Sequence, residues 1–170
     1  YGNYFMWACN TSSQYFGEGN YPDYAKAVTI NNEIDYSYNY SGDIRYDAAT
    51  NLWGGNWRTP TIEDFNELAR NCTTREVVTM NGINYLKLTS DINGKSIHFP
   101  LGGIYYGTDL EDRGERGLYL TGELSTKYYG TSIVRYAQLY NNPDYMDAVN
   151  AGRHLGTSVR PVIGPIPEED

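Results

Sequence analysis

The sequence predicts an α+β fold in which antiparallel strands dominate and helix is scarce. Three observations lead there. Helical periodicity occurs clearly only once, over residues 61–72. Beyond it apolar residues alternate with polar ones, and two Asn-Gly pairs, Asn81-Gly82 and Asn93-Gly94, separate the alternating runs. The later apolar runs are short and joined by Gly-, Asn- and Asp-rich connections, the pattern of short strands linked by turns.

Taken in order, YGNYFMWACN reads as a short strand followed by loops. YPDYAKAVTINNEIDYSYNYSGD has no sustained period and reads as irregular surface structure. DAATNLWGG fits a short helix or turn that ends at its glycines. Pro60 then disfavours helix for Thr59, so the next helix starts after it. Thr61 caps that helix, and Asp64 three residues later completes a capping box, with Glu63 and Asp64 at the positive end of the dipole. Ile62, Phe65, Leu68, Ala69 and Cys72 fall on one face, which is therefore buried. VVTM-NG-INYLKLTS is a hairpin with a type I′ turn, and Asn93-Gly94 returns the chain into SIHFP as a third strand. GGIYYG, GLYLTGEL, SIVRYAQLY and TSVRPVI read as further short strands. Residues 1–163 form one domain without internal repeat, and residues 164–170 a flexible acidic tail.

Bulk properties narrow the function. The chain has 170 residues, 13 basic and 21 acidic side chains, and a net charge of −8. Nucleic acid and anionic lipid would both want a basic patch, so neither is expected as a partner. No apolar run approaches the ~18 residues of a membrane span. The chain begins at Tyr1 without a charged-then-apolar leader, and reads as a mature or excised piece of something longer. Its 18 tyrosines suit half-buried strands, and a minority of them suit recognition surfaces, where a flat apolar ring carries a polar tip. Cys9 and Cys72 lack any zinc spacing. They form either one bridge, expected in an oxidising compartment, or two separately buried thiols.

Two longer motifs resemble a known family. Trp53, Gly54, Gly55, Trp57, Arg58, Pro60 and Thr61 match a W-G-G-x-W-R-x-P-T segment that leads into a helix. Gly156, Ser158, Val159, Arg160, Pro161 and Val162 match a closing G-x-S-V-R-P-V strand. WACN at 7–10, DAA at 47–49 and NGxNYxKLTS at 81–90 add to the likeness, which covers nearly the whole chain. Together they resemble the Fibrobacter succinogenes major paralogous family, whose fold is C-type-lectin-like. The resemblance implies that the N- and C-terminal strands lie side by side and that the helix packs under a twisted sheet. Trp57 is then expected to fill the gap between helix and sheet. Arg58 is expected to bond backbone carbonyls or a carboxylate near the terminal strands, since its five fixed donors suit that task. Arg160, Thr61 and Phe65 are read as structural with them.

Catalytic readings are thin. His98 alternates within SIHFP, and His154 lies beside Arg153. No HExxH, G-x-S-x-G or Cys–His arrangement is present, although a glycosidase carboxylate pair need only meet in space. Formylglycine-generating enzymes of related fold use paired cysteines near the C-terminal end, whereas both cysteines here lie in the first half. Asn142-Pro143-Asp144 is similar to one of the calcium-lectin tripeptides, but no Trp-Asn-Asp accompanies it. Asp109, Glu111, Asp112 and Glu115 form an acidic loop of no recognised calcium spacing. No metal or cofactor is expected.

Binding remains. Residues 140–156 concentrate Tyr140, Asn141, Asn142, Asp144, Tyr145, Asn150, Arg153 and His154. The resemblance places this stretch on the exposed ligand-facing surface. Interleaved Tyr and Asn is the composition of an adaptable recognition surface. The expectation is a non-catalytic module of an exported or outer-surface bacterial protein that adheres through a glycan or a host or neighbour-cell protein. A lectin-fold enzyme and a structural domain of a surface appendage are the alternatives.

Overall fold

A computed structural model describes residues 2–13, 15–17, 29–30, 33–34, 39–127, 130 and 132–166 of the 170-residue chain. Most of the early stretch read as irregular, and the last four residues of the acidic tail, lie outside the described residues.

Antiparallel strands dominate the described chain, with two helices of six and ten residues. Strands β1 (Thr29–Ile30) and β2 (Glu33–Ile34) form a minimal pair. Helix α1 (Ala48–Trp53) follows, then β3 (Trp57–Arg58) and helix α2 (Ile62–Asn71). Strands β4 (Thr74–Met80), β5 (Ile83–Thr89) and β6 (Ser96–Pro100) form a meander in that order. Its first turn holds Asn81 and Gly82 at φ 51° and 76°, the double left-handed geometry that Asn-Gly favours. Strands β7 (Ile104–Tyr106) and β8 (Asp109–Glu111) make a small hairpin. Strands β9 (Arg116–Leu124), β10 (Ile133–Tyr140) and β11 (Met146–Gly152) form a second meander, and β12 (Val162–Ile163) pairs with β3.

Among the described residues the strands divide into five small sheets rather than one continuous twisted sheet. Isolated bridges stitch them together. Among these, Phe5 and Thr157 exchange backbone hydrogen bonds at 2.9 and 3.0 Å, so the first and last segments of the domain run side by side.

The β9–β11 sheet separates two cores, and its side-chain alternation decides which residue joins which. Leu118, Leu120, Val134 and Tyr136 face a cluster with Phe5, Trp7 and Tyr40. Tyr119, Ala137 and Leu139 face the other, where Phe65 of α2 meets Phe99 of β6 and Tyr119. Successive strand residues point to opposite faces, so one strand can serve both clusters.

α2 begins as its sequence indicates. Thr61 Oγ1 accepts from the Asp64 N–H at 3.1 Å, and Asp64 Oδ2 accepts from the Thr61 N–H at 2.7 Å. Glu123 of β9 adds a carboxylate to the Ile62 N–H at 2.5 Å, which ties the helix start to the sheet. Ahead of it, Arg58 is buried and bonds Asp64 at 2.7 and 3.1 Å. It also donates to the carbonyls of Gly164 and Pro165 at 2.9 and 2.7 Å. The chain is therefore held past residue 163, where the sequence placed the start of a loose tail.

Three expectations need correction. Trp57 is 38% exposed and does not fill the gap between helix and sheet; Phe65 does. In a two-residue strand, turning Arg58 inward turns Trp57 outward. Cys9 and Cys72 are free thiols in different clusters, and no bridge joins them. Residues 140–156, expected on one exposed surface, are divided between a turn and a sheet edge, because Met146–Gly152 is a strand paired with β10 along its whole length.

Candidate functional site

The turn between β10 and β11 is where exposed polar side chains gather. Asn142 Oδ1 accepts from the Asp144 N–H at 3.1 Å, and the Asn142 carbonyl accepts from the Tyr145 N–H at 3.2 Å. This is the self-bonded turn that Asn before Pro-Asp favours. The Asn141 N–H donates to the Glu115 carbonyl at 2.8 Å, which pins the tip against the residue preceding β9. On this frame Asn141, Asn142, Asp144 and Tyr145 are exposed, and Tyr140 is half-buried. The Tyr145 ring is 58% exposed although it follows a rigid turn.

The other three residues expected here lie at the far end of the hairpin. Leu139 pairs with Met146 at the tip and Ile133 with Gly152 at the base. Six strand steps separate the two ends, about 20 Å. Asn150 is exposed on β11, opposite Arg135. His154 is half-buried, with its ring folded so closely over Gly152 that a Cβ there would lie 2.5 Å from His154 Cε1. Arg153 is 4% exposed, so it belongs to the interior and not to a recognition surface. Its guanidinium stands near the Cys9 thiol. Burial pushes that thiol up to about 11, and Arg153 only partly offsets the effect. Burial also raises Cys72. Both sulfurs are thus protonated at neutral pH and lack the thiolate character of a nucleophile.

The acidic loop is engaged elsewhere. Asp112 pairs with Arg116 at 2.6 Å, and Asp109 and Glu111 belong to β8. Among the described residues no group of three or more His, Cys, Asp and Glu side chains could hold a metal ion. Asn142, the first residue of the calcium-lectin-like tripeptide, already spends its amide oxygen on the turn.

Two clefts lie away from the tip, on either side of α1. One of about 520 Å³ lies between the α1–β3 connection and residues 164–166, bordered by Asn56, Trp57 and Ile166. A second, of about 250 Å³, is lined by Leu52 and Trp53 together with residues from both terminal segments. The sequence reading passed over it. Its signal was present: Leu52 and Trp53 follow the buried Ala48 and Ala49 at four-residue spacing, so they extend the helix's apolar stripe. Each is nonetheless 52% exposed.

No protein-family model matches the chain, and neither a curated protein nor a solved structure matches it.

Proposed function

We propose that the chain is a non-catalytic recognition module of lectin-like fold, belonging to an exported or cell-surface protein and serving adhesion. One observation carries the reading. The β10–β11 turn presents Asn141, Asn142, Asp144 and Tyr145 to solvent on a backbone fixed by its own hydrogen bonds. A rigid turn loses little conformational entropy when a partner docks, and an exposed Tyr among amides offers both ring contact and hydrogen bonds. The paired terminal segments and a helix packed beneath a sheet support the lectin-like fold. The partner is a glycan or a protein of a host or neighbouring cell.

A screen of immobilised glycans and cell-surface proteins tests the reading, with the wild type beside Tyr145→Ala. Capture by the wild type that the substitution abolishes, with an unchanged melting transition, supports it. Capture that survives Tyr145→Ala removes the hairpin tip from the interface.

A further inference from the structure

The cleft beside Trp53 is built from parts that nothing in the hairpin reading uses. Three stretches of chain converge on it. α1 supplies Leu52 and Trp53, the N-terminal segment supplies Asn3, and the C-terminal segment supplies Ser158 and Arg160. Tyr119 contributes to the lining, and its own hydroxyl is committed to the Pro100 carbonyl at 2.5 Å.

Each group has a property that asks for a ligand. Trp53 is a large ring left half-exposed at the end of a capped helix. Arg160 is exposed, and among the described residues it makes no ion pair; its guanidinium lies 5.7 Å from the Phe99 ring centroid. Asn3 adds an exposed amide. The cleft volume, about 250 Å³, falls just below the ~300–1,000 Å³ typical of small-molecule sites, which suits one ring rather than a larger ligand.

We propose that this cleft binds a single acidic sugar unit. The ring's apolar face stacks on Trp53, and its carboxylate pairs with the Arg160 guanidinium. A ring hydroxyl bonds the Asn3 amide. Among the described residues Arg160 is the only charged one in the lining, so it sets the preference for an acid over a neutral sugar. The proposal shares with the hairpin reading only the premise of non-catalytic binding, and it places the ligand elsewhere.

Calorimetric titration of the whole chain tests it with two acidic probes, tetragalacturonate and 3′-sialyllactose. Each is compared with its neutral partner, the methyl-esterified tetramer and lactose. At least one acid is expected to bind about tenfold tighter than its partner, from one charge-assisted contact. Arg160→Gln should erase that preference, and Trp53→Ala should weaken both members of the pair by about thirtyfold. Tyr145→Ala should change neither. Both cleft side chains are exposed, and unchanged melting transitions would verify that the variants fold. Three outcomes overturn the proposal: no heat with any probe at millimolar concentration, an acid preference that survives Arg160→Gln, or loss of binding in Tyr145→Ala with Trp53→Ala unaffected. The last result would transfer the sugar to the hairpin tip. The first would leave the tip to be judged by the glycan and protein screen alone.

Discussion

Two regions of the molecule use polar side chains to opposite ends. At the junction of α1, β3 and α2, Asp47, Arg58, Thr59 and Asp64 are bonded to one another or to backbone. Asp47 is fully buried and accepts five hydrogen bonds, from the N–H groups of Gly42, Ala49, Thr50 and Thr59 and from the Thr59 hydroxyl. At the β10–β11 tip, Asn141, Asn142 and Asp144 bond mainly through backbone or short turns, and their side chains face water. A polar residue in a loop is therefore no sign of a site by itself. What separates the two regions is whether the side chain's bonding capacity is already used, and that depends on contacts remote in sequence.

The sharpest way to break the contrast is to remove a member of the junction. Arg58→Ala leaves the largely buried Asp64 side chain without its cation and the Gly164 and Pro165 carbonyls without their donor. Loss of one partner of a buried pair typically costs about 3–5 kcal/mol. Asp47→Ala orphans five donor groups, four of them backbone, and should cost about 3 kcal/mol. Denaturant melts measure both. A loss below ~1 kcal/mol for either would show that the junction is not what fastens α1 and β12 to the domain.

Acid should act on the same place. Burial tends to raise the Asp64 carboxyl, but hydrogen bonds from Arg58 and Thr61 outweigh it and hold it below the usual aspartate range. A depressed folded-state value contributes stability that is present above the unfolded value of about 4 and is lost as pH falls through the folded value. Melting temperature should thus decline below about pH 4, and the decline should be shallower in Arg58→Ala, where the cause of the depression is gone. Parallel acid profiles for the two proteins would contradict this account.

The junction and the tip also differ in how far they could be read in advance. The start of α2 was legible because its signals are local: Pro60, a capping Thr and an Asp three residues later. The Asn81-Gly82 hairpin was legible for the same reason, since the turn alone demands two left-handed residues. β11 was not. Met146–Gly152 carries Asp, Asn and Gly and lies at the edge of its sheet, so its burial pattern is too weak to distinguish it from a loop. The site reading failed at Arg153, which is buried near Cys9, a residue from the other end of the chain. Trp57 was misplaced by a single step of strand alternation. Local chemistry was readable, and long-range satisfaction of side chains was not.

A milder test stays within the junction. Thr61→Ala deletes the cap oxygen but leaves the Asp64 carboxylate and Glu123 on the first turn of α2. The loss should be on the order of 1 kcal/mol, well short of the Arg58 effect. Equal losses for the two substitutions, measured by denaturant melts, would mean that the cap and the arginine fail together as one unit.

The smallest stability effect is expected at the tip, and its smallness is the point. Tyr145 is 58% exposed, and only its backbone N–H is used in the turn, so Tyr145→Ala removes little that the folded state needs. Its melting transition should stay within about 0.5 kcal/mol of the wild type, the usual range for exposed positions. Ligand capture through the tip should fall about thirtyfold, as truncation of an anchoring aromatic commonly produces. Arg58→Ala should show the converse, with stability lost first and capture declining only as the folded fraction declines. A Tyr145→Ala protein that melts several degrees lower would place its ring in the architecture, and the contrast between the two regions would lose its basis. An unchanged melt with unchanged capture would keep the contrast in bonding but leave the tip without a role, and the aromatic cleft beside Trp53 would become the better place to look for the ligand.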